Sequence, residues 1–210
     1  MANACVCGEY FNVNNGELCL NPGTLGLRER IIYDEPGVYQ FVKADYPWLA
    51  RVQVQVQGGG GGSAGAIADA GELIARPGAP AGAWAQSLID VALLGATETI
   101  VVGAGGTGGV GNNDGGPGGA SSFGGLVLAE GGPGGPVSML SGTELETARG
   151  PEGATNGIGD LVIGGGGSGG ALRLNATRGL SGQGGDSVLG RGGNEIRQNG
   201  PGNPPTGWGA

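Results

Sequence analysis

The sequence predicts a mainly β protein with little helix, in which strands alternate with extended glycine-rich segments. Residues 51–57 read RVQVQVQ, and this alternation of valine and glutamine has the period of two that gives a strand two different faces. The apolar run at residues 97–102 leads directly into glycines. Residues 101–120 then repeat a Gly-Gly-X phrase, which suits a left-handed extended helix with three residues per turn, of the polyproline II type.

The composition permits a folded chain despite its glycine content. Of 210 residues, 53 are glycine and 12 are proline, a combined share of about a third that is typical of low-complexity chains. Charged residues make up only 13%, whereas disordered chains are usually rich in charge and poor in apolar residues. Collagen is excluded because glycine is not kept at every third position. A compact bundle of glycine helices, as in glycine-rich antifreeze folds, is also expected to need longer unbroken periods.

The strands can be placed along the chain from apolar alternation and turn residues. A turn signal at residues 34–37 precedes the first clear strand, and small apolar residues at 66–75 permit a short helix that Gly71 weakens. The predicted strands are residues 38–43, 51–57, 84–91 and 97–102, a strand pair within residues 121–129, and residues 161–163 and 171–177.

Three regions are predicted. Residues 1–30 are rich in asparagine, contain one short strand at residues 18–20, and are too few to build a core alone, so we expect them to dock on another protein. Residues 31–137 form a β-sandwich-like glycine-rich domain. Residues 138–210 are a second, degenerate glycine-rich repeat, because residues 161–163 enter glycines as residues 52–57 do. The proline-containing tail at residues 200–210 is expected to be extended and to lie on a neighbour.

The charge and residue content of the chain restrict the partners and the chemistry that it is expected to have. The net charge is −8, with no histidine and a single lysine, Lys43. An acidic chain without a basic cluster is a poor nucleic-acid or anionic-membrane binder. The absence of histidine removes the commonest general base and metal ligand. No apolar run reaches the roughly 20 residues that span a bilayer, and residues 1–11 do not resemble a signal peptide. We therefore expect synthesis in the cytoplasm and no membrane insertion.

The cysteines lie close together near the N-terminus, at Cys5, Cys7 and Cys19. A zinc site would lack a fourth ligand within the chain, and Cys-x-Cys is not the usual two-residue spacing. A disulfide to Cys19 is disfavoured in a reducing cytosol. Free, partly buried thiols are the favoured interpretation, although the sequence leaves the state of these residues open.

Several motifs match the signatures of functional sites but lack the neighbouring structure or residues that those sites require. Residues 103–108 read GAGGTG, a literal G-x-G-x-x-G directly after a predicted strand. A dinucleotide site requires the last glycine to open a helix, and the glycines that follow make a helix implausible. Ser63, Ser122 and Ser168 lie among glycines but have no histidine to activate them.

Acidic residues raise two further possibilities. Asp114 and Asp186 occupy glycine-rich loops where a calcium site is conceivable, but spaced carboxylates are missing and a turn role is favoured. Asp45 with Glu35, or Glu144 with Glu146, could form the pair of carboxylic acids that cleaves a glycosidic bond. Acidic side chains on solvated loops explain both pairs equally well. We expect no catalytic, cofactor-binding or metal-binding residues, and no enzymatic activity.

The order of the glycine-rich phrases resembles a known family. The phrases are PGVYQF at residues 36–41, residues 51–57 running into Gly58–Gly62, WAQS at residues 84–87, IVVGAGG at residues 100–106, and GGASSFG at residues 118–124. Together they resemble the glycine-rich domain of bacteriophage tail and fibre proteins, found in minor tail proteins of phages of actinobacteria. The resemblance covers about residues 31–137, with a weaker echo to about residue 195.

The resemblance implies a structural virion protein without catalytic residues, in the tail tip or tail fibre. Glycine-rich modules with unpaired edges gain from oligomerisation, so a homotrimer is expected. Other tail proteins are the expected partners of residues 1–30, and a host cell-surface glycan is an expected target. A capsid-surface fibre or decoration protein is an alternative. An enzyme that degrades cell-wall polymer is a third hypothesis, against which the lack of histidine and of a convincing acid pair weighs.

Overall fold

The structure is a computed structural model, and it describes residues 11–15, 17–21 and 26–210. In these residues helix is confined to two 3-10 turns, Lys43–Asp45 and Val91–Leu93. The mainly β fold with little helix is therefore confirmed. The strands are β1 Phe11–Asn14, β2 Glu17–Leu20, β3 Gly37–Val42, β4 Arg51–Gln57, β5 Trp84–Asp90, β6 Thr97–Val102, β7 Ser121–Phe123, β8 Val127–Ala129, β9 Glu146–Ala148, β10 Gly157–Ile158, β11 Leu161–Ile163, β12 Ala171–Asn175, β13 Arg178–Leu180, β14 Gly190–Arg191 and β15 Thr206–Gly207.

Two antiparallel sheets pack face to face as a sandwich. The order in the larger sheet is β10-β8-β7-β6-β3, and in the smaller sheet it is β11-β5-β4. Contacts of β8 with β4 and β5 join the sheets. Buried residues of both sheets fill the interior, among them Phe41, Ala85, Ile89, Ile100, Phe123 and Val127. The valines of β4 face this core, and Gln53 and Gln55 are exposed on the other face, as the alternation in the sequence predicts. Gln57 is half-buried, and its amide donates to the carbonyls of Gly82 and Ala83 at 3.0 and 2.9 Å.

The predicted strands of the first half are confirmed, and β4 and β6 have the predicted bounds. The possible helix at residues 66–75 is wrong. Gly71 has a positive φ of 78° and Leu73 forms an isolated bridge with Gly142, so this stretch is an extended loop. In the N-terminal region the strand at residues 18–20 belongs to a hairpin with β1, which the sequence did not indicate. The short strands β9, β10 and β13–β15 were also missed.

Extended glycine-rich segments leave the sandwich side by side and form what we call the glycine bundle: residues 58–65, 76–83, 103–109, 113–120, 130–136, 149–154, 164–170 and 181–186. Backbone hydrogen bonds join them at steps of three residues. The N–H groups of Gly59, Gly62 and Gly65 donate to the carbonyls of Gly119, Gly116 and Asn113, at 3.0, 2.9 and 3.0 Å. This spacing is that of an extended helix with three residues per turn.

Segment 58–65 lies inside the bundle, and consecutive glycines face different neighbours. A Cβ on Gly58 or Gly61 would meet the carbonyl oxygen of Glu130 or Pro133, at 2.1 and 1.9 Å. A Cβ on Gly60 would meet the carbonyl oxygen of Ala210, at 2.3 Å. These distances are too short for any side chain, so glycine is required on each edge.

The expectation that a glycine bundle needs longer unbroken periods is wrong for this chain. Each segment is short, but strands and loops return the chain to the bundle repeatedly, so many short segments lie in one lateral array. Backbone hydrogen bonds between many neighbouring segments hold the array together, so no single segment has to be long. The prediction that residues 101–120 are packed through their backbone is confirmed, since Gly116 and Gly119 donate to Thr107 and Ala104 at 2.7 Å.

The bundle has two distinct ends. Segments 58–65, 103–109 and 130–136 leave β4, β6 and β8, and their hydrogen bonds advance in the same direction. The three segments are therefore parallel and end together, away from the sandwich. We call this end the distal end; it carries residues 66–75, 110–112 and 137–145, together with a small sheet of order β13-β12-β9. Ala75, Met139, Ala148 and Ala171 form a second core there.

The two chain ends of the described residues have defined neighbours. The Arg28 guanidinium lies over the Trp48 ring, 4.4 Å from its centroid. Near the C-terminus Gly209 accepts a 2.9 Å hydrogen bond from Gly82, and β15 pairs with β14. The tail thus returns to this chain's own bundle, contrary to the expectation that it lies on a neighbour.

No helix in the described ranges is long and apolar enough to cross a membrane. Strands of the predicted 138–210 region pair with strands of the 31–137 region, as β10 does with β8 and β11 with β5. The division of the chain into these regions stays a prediction.

Candidate functional site

The loops at the distal end, residues 66–75, 110–112 and 137–145, form the candidate site, which we call the distal loops. Loops carry recognition residues most often where a rigid scaffold presents them, and here the glycine bundle is that scaffold. Asn112 ties the first two loops together: its amide oxygen accepts from the Ile67 N–H at 2.8 Å, and its amide nitrogen donates to the Ile67 carbonyl at 2.9 Å. The Ser141 hydroxyl joins the third loop by accepting from the Asp69 N–H at 2.9 Å.

Arg76 fixes the base of the distal loops from inside the protein. Its side chain is buried, and its Nε donates to the Gly65 carbonyl at 2.8 Å. One terminal nitrogen donates to Asn112 Oδ1 at 3.0 Å and the other to the Met139 carbonyl. Burial lowers the pKa of Arg76 from its ordinary value, and the nearby Asp114 carboxylate opposes that shift. One guanidinium thereby connects segments that are far apart in sequence.

Arg173 on β12 performs the same task beside Arg76. It is also buried, and it donates to the carbonyls of Leu73 and Leu140 at 3.0 and 2.5 Å. Its Nε donates to the Glu144 carbonyl at 2.7 Å, and its remaining nitrogen pairs with the Glu146 carboxylate at 2.5 Å. The planar guanidinium suits such convergent carbonyls because its donors diverge in fixed directions.

Large apolar side chains on or beside the distal loops remain exposed to solvent. Val110 is 81% exposed, Leu140 75%, Leu145 68% and Ile67 63%. Exposed apolar residues are common singly, but several on neighbouring loops mark a contact surface. The distal loops therefore combine a backbone fixed by side-chain hydrogen bonds with several exposed apolar side chains.

The structure places the G-x-G-x-x-G motif of residues 103–108 in the glycine bundle. After β6, residues 103–108 continue as an extended segment, and Gly106 donates to the Gly60 carbonyl at 2.8 Å. A Cβ on Gly103 would stand 2.2 Å from the Gly119 carbonyl oxygen, so a neighbouring segment fills the space beside the motif. The expectation that no helix follows this G-x-G-x-x-G is confirmed.

The acidic candidates act within the backbone. Asp114 accepts from the Val137 N–H at 2.5 Å and Asp186 from the Gly192 N–H at 2.8 Å. Both carboxylates therefore join separate stretches of backbone instead of closing the local turns that the sequence favoured. The Glu146 carboxylate is occupied by Arg173. No group of three or more metal-binding side chains occurs in the part of the chain that the structure describes.

Of the cysteines, Cys5 and Cys7 lie outside the described residues. Cys19 on β2 is half-buried and is a free thiol.

Sequence reasoning missed the two buried arginines. Arg76 stands in a stretch of small apolar residues, where burial of a large cation is unexpected. The signal that could have identified it is this isolation: an arginine flanked by alanine and proline has no polar neighbour in sequence and needs distant carbonyls.

Comparison with protein families then supplies the class of protein. The profile of the glycine-rich domain family matches residues 39–210, which include the glycine bundle, the distal loops and all of the sandwich except the first two residues of β3. The chain belongs to this glycine-rich domain family. Among curated proteins, none matches the chain.

Proposed function

We propose that the chain is a structural protein of a bacteriophage virion, a tail-tip or tail-fibre (minor tail) component whose distal loops contact the host cell surface. The observation that carries the proposal is the presentation of exposed Val110 and Leu140 on distal loops fixed by Arg76 and Arg173. The phage assignment itself is supported by the resemblance of residues 31–137 to the glycine-rich domain of tail and fibre proteins.

The construction of the protein suits a particle component. The glycine bundle holds its segments by backbone hydrogen bonds between closely spaced chains, so the scaffold depends little on side chains, and the loops at its end can vary without disturbing it. A virion component that must change its receptor while keeping its fold gains from this separation.

Assembly into a homotrimer and attachment to other tail proteins are part of the proposal. The N-terminal hairpin offers a surface for the second contact, because Val13 is 71% and Leu20 42% exposed. Trimerisation is tested by the mass of the purified chain at micromolar concentration, where a monomer mass contradicts it.

The location is tested by labelling virions. An epitope tag at Gly202 is suitable, because the residue is exposed and no atom lies within 4 Å of a Cβ placed there. Electron microscopy with an antibody to the tag is expected to place the label on the tail. Label on the head would instead support the alternative capsid-surface fibre or decoration protein, and unlabelled particles would contradict a virion role.

Host attachment is tested with exposed substitutions at opposite ends. A Val110→Asp/Leu140→Asp phage is expected to adsorb at least about tenfold more slowly, because charge replaces apolar contact area. Leu93→Asp is the matched control, since Leu93 is 68% exposed at the sandwich end, and its adsorption should be unchanged. Equal adsorption of both variants would contradict the assignment of the distal loops. Turnover of host cell-wall polymer that is abolished by an acidic-residue substitution would favour the enzyme hypothesis.

A further inference from the structure

A groove of about 390 Å³ runs along the outside of the glycine bundle, lined by residues 166–169 and by Gln183, Gly184 and Asp186. The two segments that form it are hydrogen-bonded to each other. Gly166 donates to the Asp186 carbonyl at 2.8 Å and Gly169 to the Gln183 carbonyl at 2.7 Å. Both segments also bind residues 76–83, so three segments form a triangular unit with the groove on its outer face.

The segment at residues 164–170 has three edges, and the backbone N–H groups on two of them donate hydrogen bonds to neighbouring segments. The N–H groups of Gly165 and Ser168 donate to residues 154 and 151, and those of Gly166 and Gly169 donate across the groove floor. The third edge holds Gly164, Gly167 and Gly170, and all three are exposed. The Gly167 N–H has no partner among the residues that the structure describes.

The facing segment, residues 181–186, also has unpaired backbone N–H groups within the described residues, and they are three residues apart. The backbone N–H groups of Gln183 and Asp186, three residues apart, find no acceptor in the described portion of the chain. Donors repeated every third residue match carbonyl groups on a chain with three residues per turn. Elsewhere in the bundle such donors bind the backbone of another glycine-rich segment, as Gly182 and Gly185 bind residues 76 and 79 at 2.8 and 2.9 Å.

We propose that this groove binds an extended, glycine-rich segment of a partner polypeptide, which adds to the bundle as one more three-residue-per-turn segment. The occupant must be rich in glycine because paired segments approach too closely for side chains: a Cβ on Gly182 would lie 1.9 Å from the Gly169 carbonyl oxygen. The mode corresponds to strand addition at a sheet edge, in which backbone hydrogen bonds supply the affinity. It goes beyond the proposed attachment function and does not depend on it.

The lining disfavours other ligands. Its side chains are those of Ser168, Gln183 and Asp186. Among these described lining residues, none supplies a cation to pair with a phosphate or an aromatic ring to stack on a base.

The test is an NMR titration of the full-length chain with a capped peptide of four Gly-Gly-Pro triplets, the phrase found at residues 131–136. Saturable shifts are expected for the amides of Gly167, Gln183 and Asp186. A peptide of four Ala-Ala-Pro triplets favours the same extended conformation but carries Cβ atoms at the contact edge, so it should not bind.

Proline variants remove the proposed donors without breaking an internal hydrogen bond. Gly167→Pro combined with Gln183→Pro deletes two free N–H groups, and the proline φ near −65° fits an extended helix. Binding should weaken by about tenfold, the value of two lost hydrogen bonds. Gly105→Pro is the matched control, because Gly105 is exposed, has open space around its Cβ position and lies on a segment remote in sequence from the groove.

Several results would overturn the proposal. These are absence of saturable shifts, equal shifts with the alanine peptide, and unchanged binding in the double proline variant while its remaining resonances keep their native dispersion. Shifts of the same amides on concentrating the chain alone would identify a second copy as the occupant and contradict a separate partner. Stronger shifts with a chito-oligosaccharide than with the glycine peptide would assign the groove to a glycan.

Discussion

A Cβ carbon on Gly62 would stand 2.0 Å from the carbonyl oxygen of Thr107. The two residues belong to parallel segments of the glycine bundle, and the approach is that of one backbone to another. A side chain that collides with a flexible neighbour can be accommodated, but a carbonyl oxygen held by its own segment cannot move alone. Gly62 therefore measures how strictly the bundle requires glycine.

Gly62→Ala is expected to destabilise the protein by about 3 kcal/mol, the upper range for overpacking a filled interior. The free energy of unfolding from denaturant titration is the measurement. Gly105→Ala is the matched control on the neighbouring segment, because a Cβ at Gly105 meets no atom within 4 Å. The control should be neutral or more stable by about 0.4–1 kcal/mol through the unfolded state. Similar losses in both variants would show that close backbone packing does not explain the glycine requirement.

Arg173→Met is expected to destabilise the distal loops more than the sandwich. The substitution leaves the carbonyls of Leu73 and Leu140 without this donor and removes the partner of Glu146, at a cost of about 2–4 kcal/mol. Hydrogen exchange should accelerate at residues 73–75 and 137–145 and stay unchanged in β4 and β5.

The neighbouring strand offers a control for that variant. Arg178 on β13 is exposed, and Arg178→Met should change stability by no more than about 0.5 kcal/mol. Uniform acceleration of exchange across the chain in Arg173→Met would contradict the local role of this arginine.

The contrast between these residues shows what the sequence could predict. Strands such as β4 were predictable because alternation of side chains records which face is buried. The Gly-Gly-X repeat likewise indicated extended packing. The order of segments in the bundle was not predictable, because contacts such as that between Gly62 and Thr107 are made by backbone atoms, which every residue has. Arg173 was also hidden, since its carbonyl partners carry no signature of residue type.

Asn112→Ala is expected to loosen the distal loops with a smaller loss of stability, about 1–2 kcal/mol. The variant loses both side-chain hydrogen bonds to Ile67 and one acceptor for Arg76. Amide exchange at Ile67 should accelerate. In Asn113→Ala, the control, only a local bond to the Val110 carbonyl is lost, so exchange at Ile67 should be unaffected; acceleration there in both variants would rule out a specific tie through Asn112.

The free energy of unfolding should depend on pH through Tyr46, which lies at the sandwich end. Its ring stacks on Phe41 with centroids 4.9 Å apart, and burial, followed by the charges of Glu29 and the neighbouring Tyr33 and Asp45, raises its pKa above the ordinary 10.0. A raised pKa in the folded state means that the neutral phenol contributes stability fully below the unfolded pKa. This contribution is lost as the pH rises through the folded pKa. The difference in unfolding free energy between the native chain and Tyr46→Phe should therefore be constant near neutral pH and shift against the native chain above about pH 10. Denaturant titrations from about pH 8 to about pH 11 measure this difference, and a difference that stays constant over that range would show that Tyr46 does not titrate differently in the folded and unfolded states.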